Sequence, residues 1–145
     1  MPEIPGWMIN QLRTLVAGWA GKWVMINPSL LNASFYNSTF STTAKTLINL
    51  SSTFGVPANV KAVRVRLLAK DSASAATVTC WFGLSPNNTA NALDIGAWPG
   101  GKTNSAFDEQ DGIVSCDANG NIYYQCVASG ASTMTVILEI NGYYL

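Results

Sequence analysis

The stretch GAWPGGKT, from Gly96 to Thr103, has the clearest spacing for chemistry, because it fits the phosphate-binding pattern GxxxxGK[ST]. In that motif the backbone N–H groups of a glycine-rich loop hold the phosphates, and a long helix begins at the Lys-Ser/Thr pair. Here Asp111 and Gly112 interrupt the chain soon after the motif, and Pro99 removes one N–H group from the loop itself. We therefore interpret the stretch as a glycine-rich surface loop.

Carboxylates are the next candidates for chemistry, and they cluster at Asp108, Glu109 and Asp111. Glycoside hydrolysis needs two carboxylates that are separated and lie in different environments, which three crowded, exposed residues do not provide. The stretch DANGNI resembles the start of a calcium loop but has Ile122 where that loop requires glycine. We expect a turn at this position and predict no metal site.

Nucleophiles lack an activating base, because the chain contains no histidine. Cys80, Cys116 and Cys126 are far apart and show no CxxC spacing, which argues against a zinc site and against a secreted disulfide framework. We interpret them as reduced core residues. These features predict a protein that is not an enzyme and has no cofactor.

Composition limits the partners. With 145 residues, 48% of them hydrophobic, the chain is long enough for one domain with a core. Eight basic and eight acidic residues leave no positive surplus for a nucleic-acid backbone. The start has no signal-peptide pattern and no apolar run is long enough to cross a bilayer, so we expect a soluble protein with no membrane partner.

The elements that must position these residues fall into two parts. From Met8 to Trp23 apolar residues recur three or four apart, which predicts a short amphipathic helix. Gly18 and Gly21 weaken it, so it needs a surface to lie on. We assign residues 1–28 to an N-terminal arm or helix and residues 29–145 to a single β-domain.

In the second part the apolar period changes to two, as in strands with one wet face. Val63, Val65 and Leu67 share one face, while Arg64 and Arg66 share the other. The same alternation predicts further inward positions: Val78, Cys80, Phe82 and Leu84; Val114 and Cys116; Ile122, Tyr124, Cys126 and Ala128; Met134, Val136, Leu138 and Ile140.

Turn-forming residues separate these strands, and the pair Asn119-Gly120 predicts a two-residue hairpin. Short strands without intervening helices predict an all-β fold, an antiparallel β-sandwich or jelly roll. A parallel α/β sheet is excluded.

Two hypotheses account for the aromatic residues that are predicted to point outward. Trp81, Tyr123 and Tyr143 are candidates for a subunit interface, because aromatic residues are enriched in interface cores. Trp98 is a candidate for a ligand-binding loop that stacks on a sugar. We favour the interface for these aromatic residues.

The amphipathic start, the Ser/Thr/Asn-rich β-domain, the stretch VPANVKAVRVRLLAK and the terminal VILEINGYYL together resemble small virion proteins of tailed bacteriophages. The similarity is closest to head decoration (cement) proteins and weaker to tail-fibre tip domains. It implies a structural protein, a homotrimer that binds the major capsid protein on the outer surface of the capsid, assembled in the host bacterial cytoplasm. The positions implied as the capsid-binding arm are Trp7, Leu12, Leu15, Trp19 and Trp23.

The alternative is a receptor- or carbohydrate-binding β-domain of a phage tail fibre that uses Trp98. The chain lacks the fibrous repeats and glycine-rich shaft of a full tail fibre, which favours decoration.

Overall fold

The computed structural model describes residues 22–31, 40–89 and 93–145. Within these ranges the chain forms eight strands, one short α-helix and one short 3-10 helix. None of these helices is long and apolar enough to cross a membrane. The elements are β1 (Trp23–Leu31), β2 (Thr46–Ile48), α1 (Leu50–Phe54), β3 (Ala62–Asp71), the 3-10 helix (Ser74–Ala76), β4 (Trp81–Ser85), β5 (Ile95–Ala97), β6 (Asp108–Ser115), β7 (Ile122–Val127) and β8 (Met134–Tyr144).

The strands form two antiparallel sheets of four strands each. Sheet A has the order β1-β8-β3-β6, and sheet B has the order β2-β7-β4-β5. The two sheets enclose one hydrophobic core, and the all-β antiparallel sandwich is confirmed. The strands β5 and β6 are edge strands of opposite sheets that lie next to each other along one side of the sandwich.

The period-two pattern places the core correctly along most of its length. Val63, Val65 and Leu67 are fully buried while Arg64 is exposed. The predicted inward residues of β8 are buried as well, and so are those of β7, apart from the half-buried Ala128, which follows that strand and packs against the core. The prediction that Val78 points inward was wrong, because this residue is 75% exposed. The reason is that β4 begins only at Trp81, so no strand alternation applies further upstream.

The Asn119-Gly120 prediction was right about a turn and wrong about a hairpin. β6 pairs with β3 in sheet A, whereas β7 pairs with β2 and β4 in sheet B, so the turn carries the chain from one sheet to the other. Asp117 shapes it by accepting the N–H of Asn121 at 2.8 Å through its carboxylate. Gly120 has a φ of +79° and lies so close to Asn59 that a Cβ would come within 2.7 Å of that residue's backbone nitrogen.

The predicted helix from Met8 to Trp23 lies outside the described residues up to position 21. Its last residue corrects the prediction, because Trp23 is the first residue of β1 and pairs with Tyr144. The boundary between arm and β-domain, predicted after residue 28, therefore falls inside a strand of sheet A. Packing of the Trp23 indole against Gly142 and Tyr144 explains why this segment joins the sheet.

Candidate interaction surfaces

The backbone N–H groups of the GAWPGGKT loop already have hydrogen-bond acceptors within the protein. A phosphate cradle needs free amide donors at the start of a helix, whereas here the strand β6 follows the loop. Lys102 forms an ion pair with Asp108, which further ties the loop to β6. The loop amides and their backbone acceptors are Gly100 to Cys80 (3.1 Å), Gly101 to Ser74 (2.9 Å) and Lys102 to Pro99 (3.1 Å). The interpretation as a surface loop is confirmed from Trp98 to Thr103, whereas Gly96 and Ala97 belong to β5.

The acidic cluster is distributed among separate protein contacts. Glu109 binds Arg66 with an Nε–Oε1 distance of 2.5 Å, and this hydrogen bond lowers the pKa of the glutamate. Asp108 accepts the backbone N–H of Trp98 at 2.7 Å in addition to its ion pair with Lys102. In the part of the chain that the structure describes, no group of three metal-ligating side chains comes together.

The three thiols are poor nucleophiles. Cys80 and Cys126 are buried and Cys116 is half-buried against the core. Burial raises the pKa of Cys116 and of Cys126 to about 12, and it raises the pKa of Cys80 as well. Near neutral pH these side chains are protonated and lack the thiolate that nucleophilic attack requires.

The outer face of sheet A carries a contiguous cluster that we call the sheet A patch: Trp23, Met25, Arg64, Ile113 and Tyr144. Met25, Arg64 and Ile113 lie in one cross-strand row that passes over Gly142. Met25 is 71% exposed and Ile113 is 51% exposed. In the neighbouring row the rings of Trp23 and Tyr144 lie 4.5 Å apart, with the indole above Gly142.

The outer face of sheet B carries an aromatic pair. Gly83 and Gly96 are cross-strand partners, and the side chains of Leu93 and Trp98 occupy the space above them. The indole of Trp98 lies over Gly96, where an added Cβ would meet the ring at 2.5 Å. Trp81 adjoins it, with ring centroids 6.2 Å apart and planes inclined by 30°. Trp98 is 48% exposed, so this pair presents aromatic surface to solvent.

A groove of about 320 Å³ lies beside this pair, between β5 and β6. Residues 93–96 and Trp98 line one side, and residues 110–112 line the other. Ile95 closes the groove toward the core. Its side chain lies against Gly112, where an added Cβ would come within 3.0 Å of the Ile95 Cδ1 atom. The side chain of Asp94 bridges the two sheets by accepting the N–H of Ser115 at 2.8 Å.

The structure brings only some of the predicted interface residues together. Trp81 points outward as predicted and meets Trp98 on sheet B. Tyr123 also lies on the outer face of sheet B, beside Leu47, and its hydroxyl reaches Asp117 at 3.4 Å. Tyr143 packs against the core instead, opposite the buried Val63.

A β-bulge explains why Tyr143 points inward and Tyr144 points outward. The register between β3 and β8 shifts between Arg64 and Val65, so that Asn141 is the extra residue. Strict alternation from Ile140 would point Tyr143 outward, whereas the bulge turns Tyr144 outward instead. Tyr144 was therefore missed from the sequence, and Gly142 was the available signal for an irregularity in this strand.

The sequence matches no protein-family model and no curated protein. In the described part of the chain, the candidate interaction surfaces are the sheet A patch, the tryptophan pair and the groove.

Proposed function

We propose that the chain is a non-enzymatic structural protein of a tailed-phage virion, a decoration protein that binds the major capsid protein lattice and stabilises the head. The observation that supports this proposal is the sheet A patch. Exposed Met25 and Ile113 surround Arg64, next to the Trp23 and Tyr144 rings. Tryptophan, tyrosine, methionine and arginine are the residues enriched at the centres of protein interfaces.

The position of β1 adds to this support. The strand β1 begins at Trp23, inside the patch, and the arm residues Trp7, Leu12, Leu15 and Trp19 precede it in the sequence. Arm and patch can then bury one continuous surface against a capsid protein. An interface of about 1,600 Å² suffices for stable attachment without any pocket.

A homotrimer would strengthen such attachment, because each additional arm binds at a raised effective concentration. Trp81 and Tyr123 on sheet B are the proposed subunit contacts, since they lie on the opposite face from the patch. Sheet A then remains available for the capsid.

We expect Met25→Asp combined with Ile113→Asp to weaken binding to expanded capsids of the source phage at least about tenfold. Both side chains are more than half exposed, so the thermal unfolding midpoint should change little. Binding is measured by co-sedimentation with capsids. Val78→Asp is the matched control, because this 75% exposed residue lies in the loop before β4, outside the patch and outside the proposed subunit contacts. Full decoration by the double variant would refute the assignment of the patch.

We also expect deletion of residues 1–21 to weaken capsid binding when the sheet A patch is left unchanged. Trp23 is retained in this variant because it belongs to β1. A truncated protein that unfolds with an unchanged midpoint and still decorates capsids at full occupancy would show that the arm assignment is wrong.

The alternative, a receptor-binding domain of a tail fibre, places the same sandwich at the other end of the virion. Immunogold labelling of intact particles separates the two proposals, since decoration predicts label over the head and the alternative predicts label at the fibre tips.

A further inference from the structure

We infer that the groove between β5 and β6 is a binding site for a neutral saccharide, with Trp98 as its stacking platform. A pyranose ring presents an apolar C–H face and a rim of hydroxyl groups. A site that recognises it needs an exposed aromatic surface of fixed orientation and polar side chains within reach of the rim. The groove provides both.

The platform is held in place from below. Because Gly96 has no side chain, the Trp98 indole lies directly on the strand, and the Trp81 ring stands at its flank. The backbone N–H of Trp98 is also fixed by the carboxylate of Asp108 at 2.7 Å. The ring is therefore oriented before any ligand arrives, which lowers the entropic cost of binding.

The polar groups stand on both sides of the groove. The N–H of Ser115 positions the carboxylate of Asp94. Gln110 lies on the same face of β6 as the core residue Val114, but near the other end of the strand, where the side chain is exposed. Among the described residues, the side chain of Gln110 forms no hydrogen bond with another protein group, whereas Asp111 is the cross-strand partner of Arg66 and interacts with its guanidinium. Carboxylates accept hydrogen bonds from sugar hydroxyls, and the amide of Gln110 can both donate and accept.

The charge of the groove selects the class of sugar. Two carboxylates and no cation occur among the residues that line it. The cations near the groove already interact with carboxylates: Arg66 with Glu109 and Asp111, Lys102 with Asp108, and Lys45 with Asp94. Uronic acids, sialic acids and sulfated sugars would find no cation in the lining to pair with, so the site fits neutral hexoses and N-acetylated amino sugars.

The test titrates the full chain with methyl glycosides of glucose, galactose, mannose and N-acetylglucosamine, with sialic acid and glucuronic acid as the acidic arm. Tryptophan fluorescence and amide chemical shifts report binding. We expect a Kd on the order of 1 mM for at least one neutral glycoside, with no response to the acids. Trp98→Ala should weaken binding at least about tenfold and Gln110→Ala by about threefold. Met25→Asp, in β1 of sheet A, should leave binding unchanged.

Gly96→Ala tests whether binding requires the orientation of the Trp98 ring, in a variant that is expected to stay folded. This variant keeps Trp98 and every polar group, but its Cβ would meet the indole at 2.5 Å and displace it. We expect it to weaken binding about as much as Trp98→Ala while the β-sheet circular dichroism is retained. The inference is overturned if no neutral glycoside binds, if acidic sugars bind more tightly, or if Trp98→Ala and Gly96→Ala bind like the wild type. These outcomes are independent of the capsid assay, which depends on Met25 and Ile113.

Discussion

Replacing Asp71 by alanine is expected to lower the free energy of unfolding by about 3–5 kcal/mol. The Asp71 side chain is fully buried at the end of β3, where it ties the loop after that strand to the turn between β7 and β8. Its carboxylate accepts the N–H of Ala73 at 2.9 Å, the N–H of Ser129 at 3.0 Å and the hydroxyl of Thr133 at 2.9 Å. The hydroxyl of Ser129 donates to it as well. Alanine would leave all four donors without this acceptor.

The measurement is urea denaturation followed by circular dichroism. Ser129→Ala is the matched control, because it removes one donor and keeps the charge, and we expect it to cost about 1 kcal/mol. A cost for Asp71→Ala no larger than that of the control would show that the carboxylate does not organise these loops.

The same carboxylate makes stability depend on pH. Burial raises the pKa of Asp71, but the hydrogen bonds from Ser129, Ala73 and Thr133 outweigh it, so the pKa lies below its ordinary value. A carboxyl group with a lowered pKa in the folded state stabilises the protein above its unfolded pKa, about 3.9, and loses that contribution as the pH falls through the folded value. The stability difference between wild type and Asp71→Asn should therefore be full at neutral pH and shrink below about pH 4. A difference that stays constant into acid would contradict this.

The second large effect is expected in the glycine-rich loop, where Gly100→Ala should lower the free energy of unfolding by about 3 kcal/mol. A Cβ on Gly100 would collide with the backbone of the loop before β4. It would overlap the carbonyl oxygen of Val78 and come within 2.7 Å of that residue's carbonyl carbon and 3.0 Å of the nitrogen of Cys80. Backbone atoms cannot rotate away as a flexible side chain can, so the hydrogen bond from Gly100 to Cys80 must be strained or broken.

Gly101→Ala is the control for this prediction. Gly101 has a φ of +76°, which alanine tolerates poorly, but a Cβ there would lie 3.6 Å from the Val78 side chain, an ordinary contact. We expect it to cost about 1 kcal/mol. Thermal unfolding of both variants gives the comparison, and equal costs would mean that the close approach at Gly100 is relieved by small movements of the loop.

Much of the core was predictable because burial repeats every second residue along a strand. Val65, Leu67 and Leu138 were predicted inward and are fully buried. The same alternation failed at Val78 and at Tyr143. It describes the inside of a regular strand, but it contains no signal for where pairing begins or where a bulge adds one residue.

The candidate surfaces were predictable only in part. Trp81 and Trp98 were recognised as outward aromatics, yet their contact depends on the pairing of β4 with β5 and on the glycine beneath Trp98. The sheet A patch was not predicted as a surface, although Trp23 and Arg64 were singled out, because Met25 and Ile113 lie on strands far apart in the chain and come into one row only through β8 and β3.

The sequence by itself determined the all-β class of the fold, since alternating apolar residues and polar turns predict antiparallel strands with one buried face, whatever the order of the strands. It also indicated that GAWPGGKT is no phosphate loop, because the helix that such a loop needs is absent from the residues that follow. The tertiary structure decided which strands are neighbours, which placed Trp23 in a sheet and turned Asn119-Gly120 into a crossing between sheets. The physical reason is that alternation is a local property, whereas register and strand order are set by the competition of distant segments for the same edges.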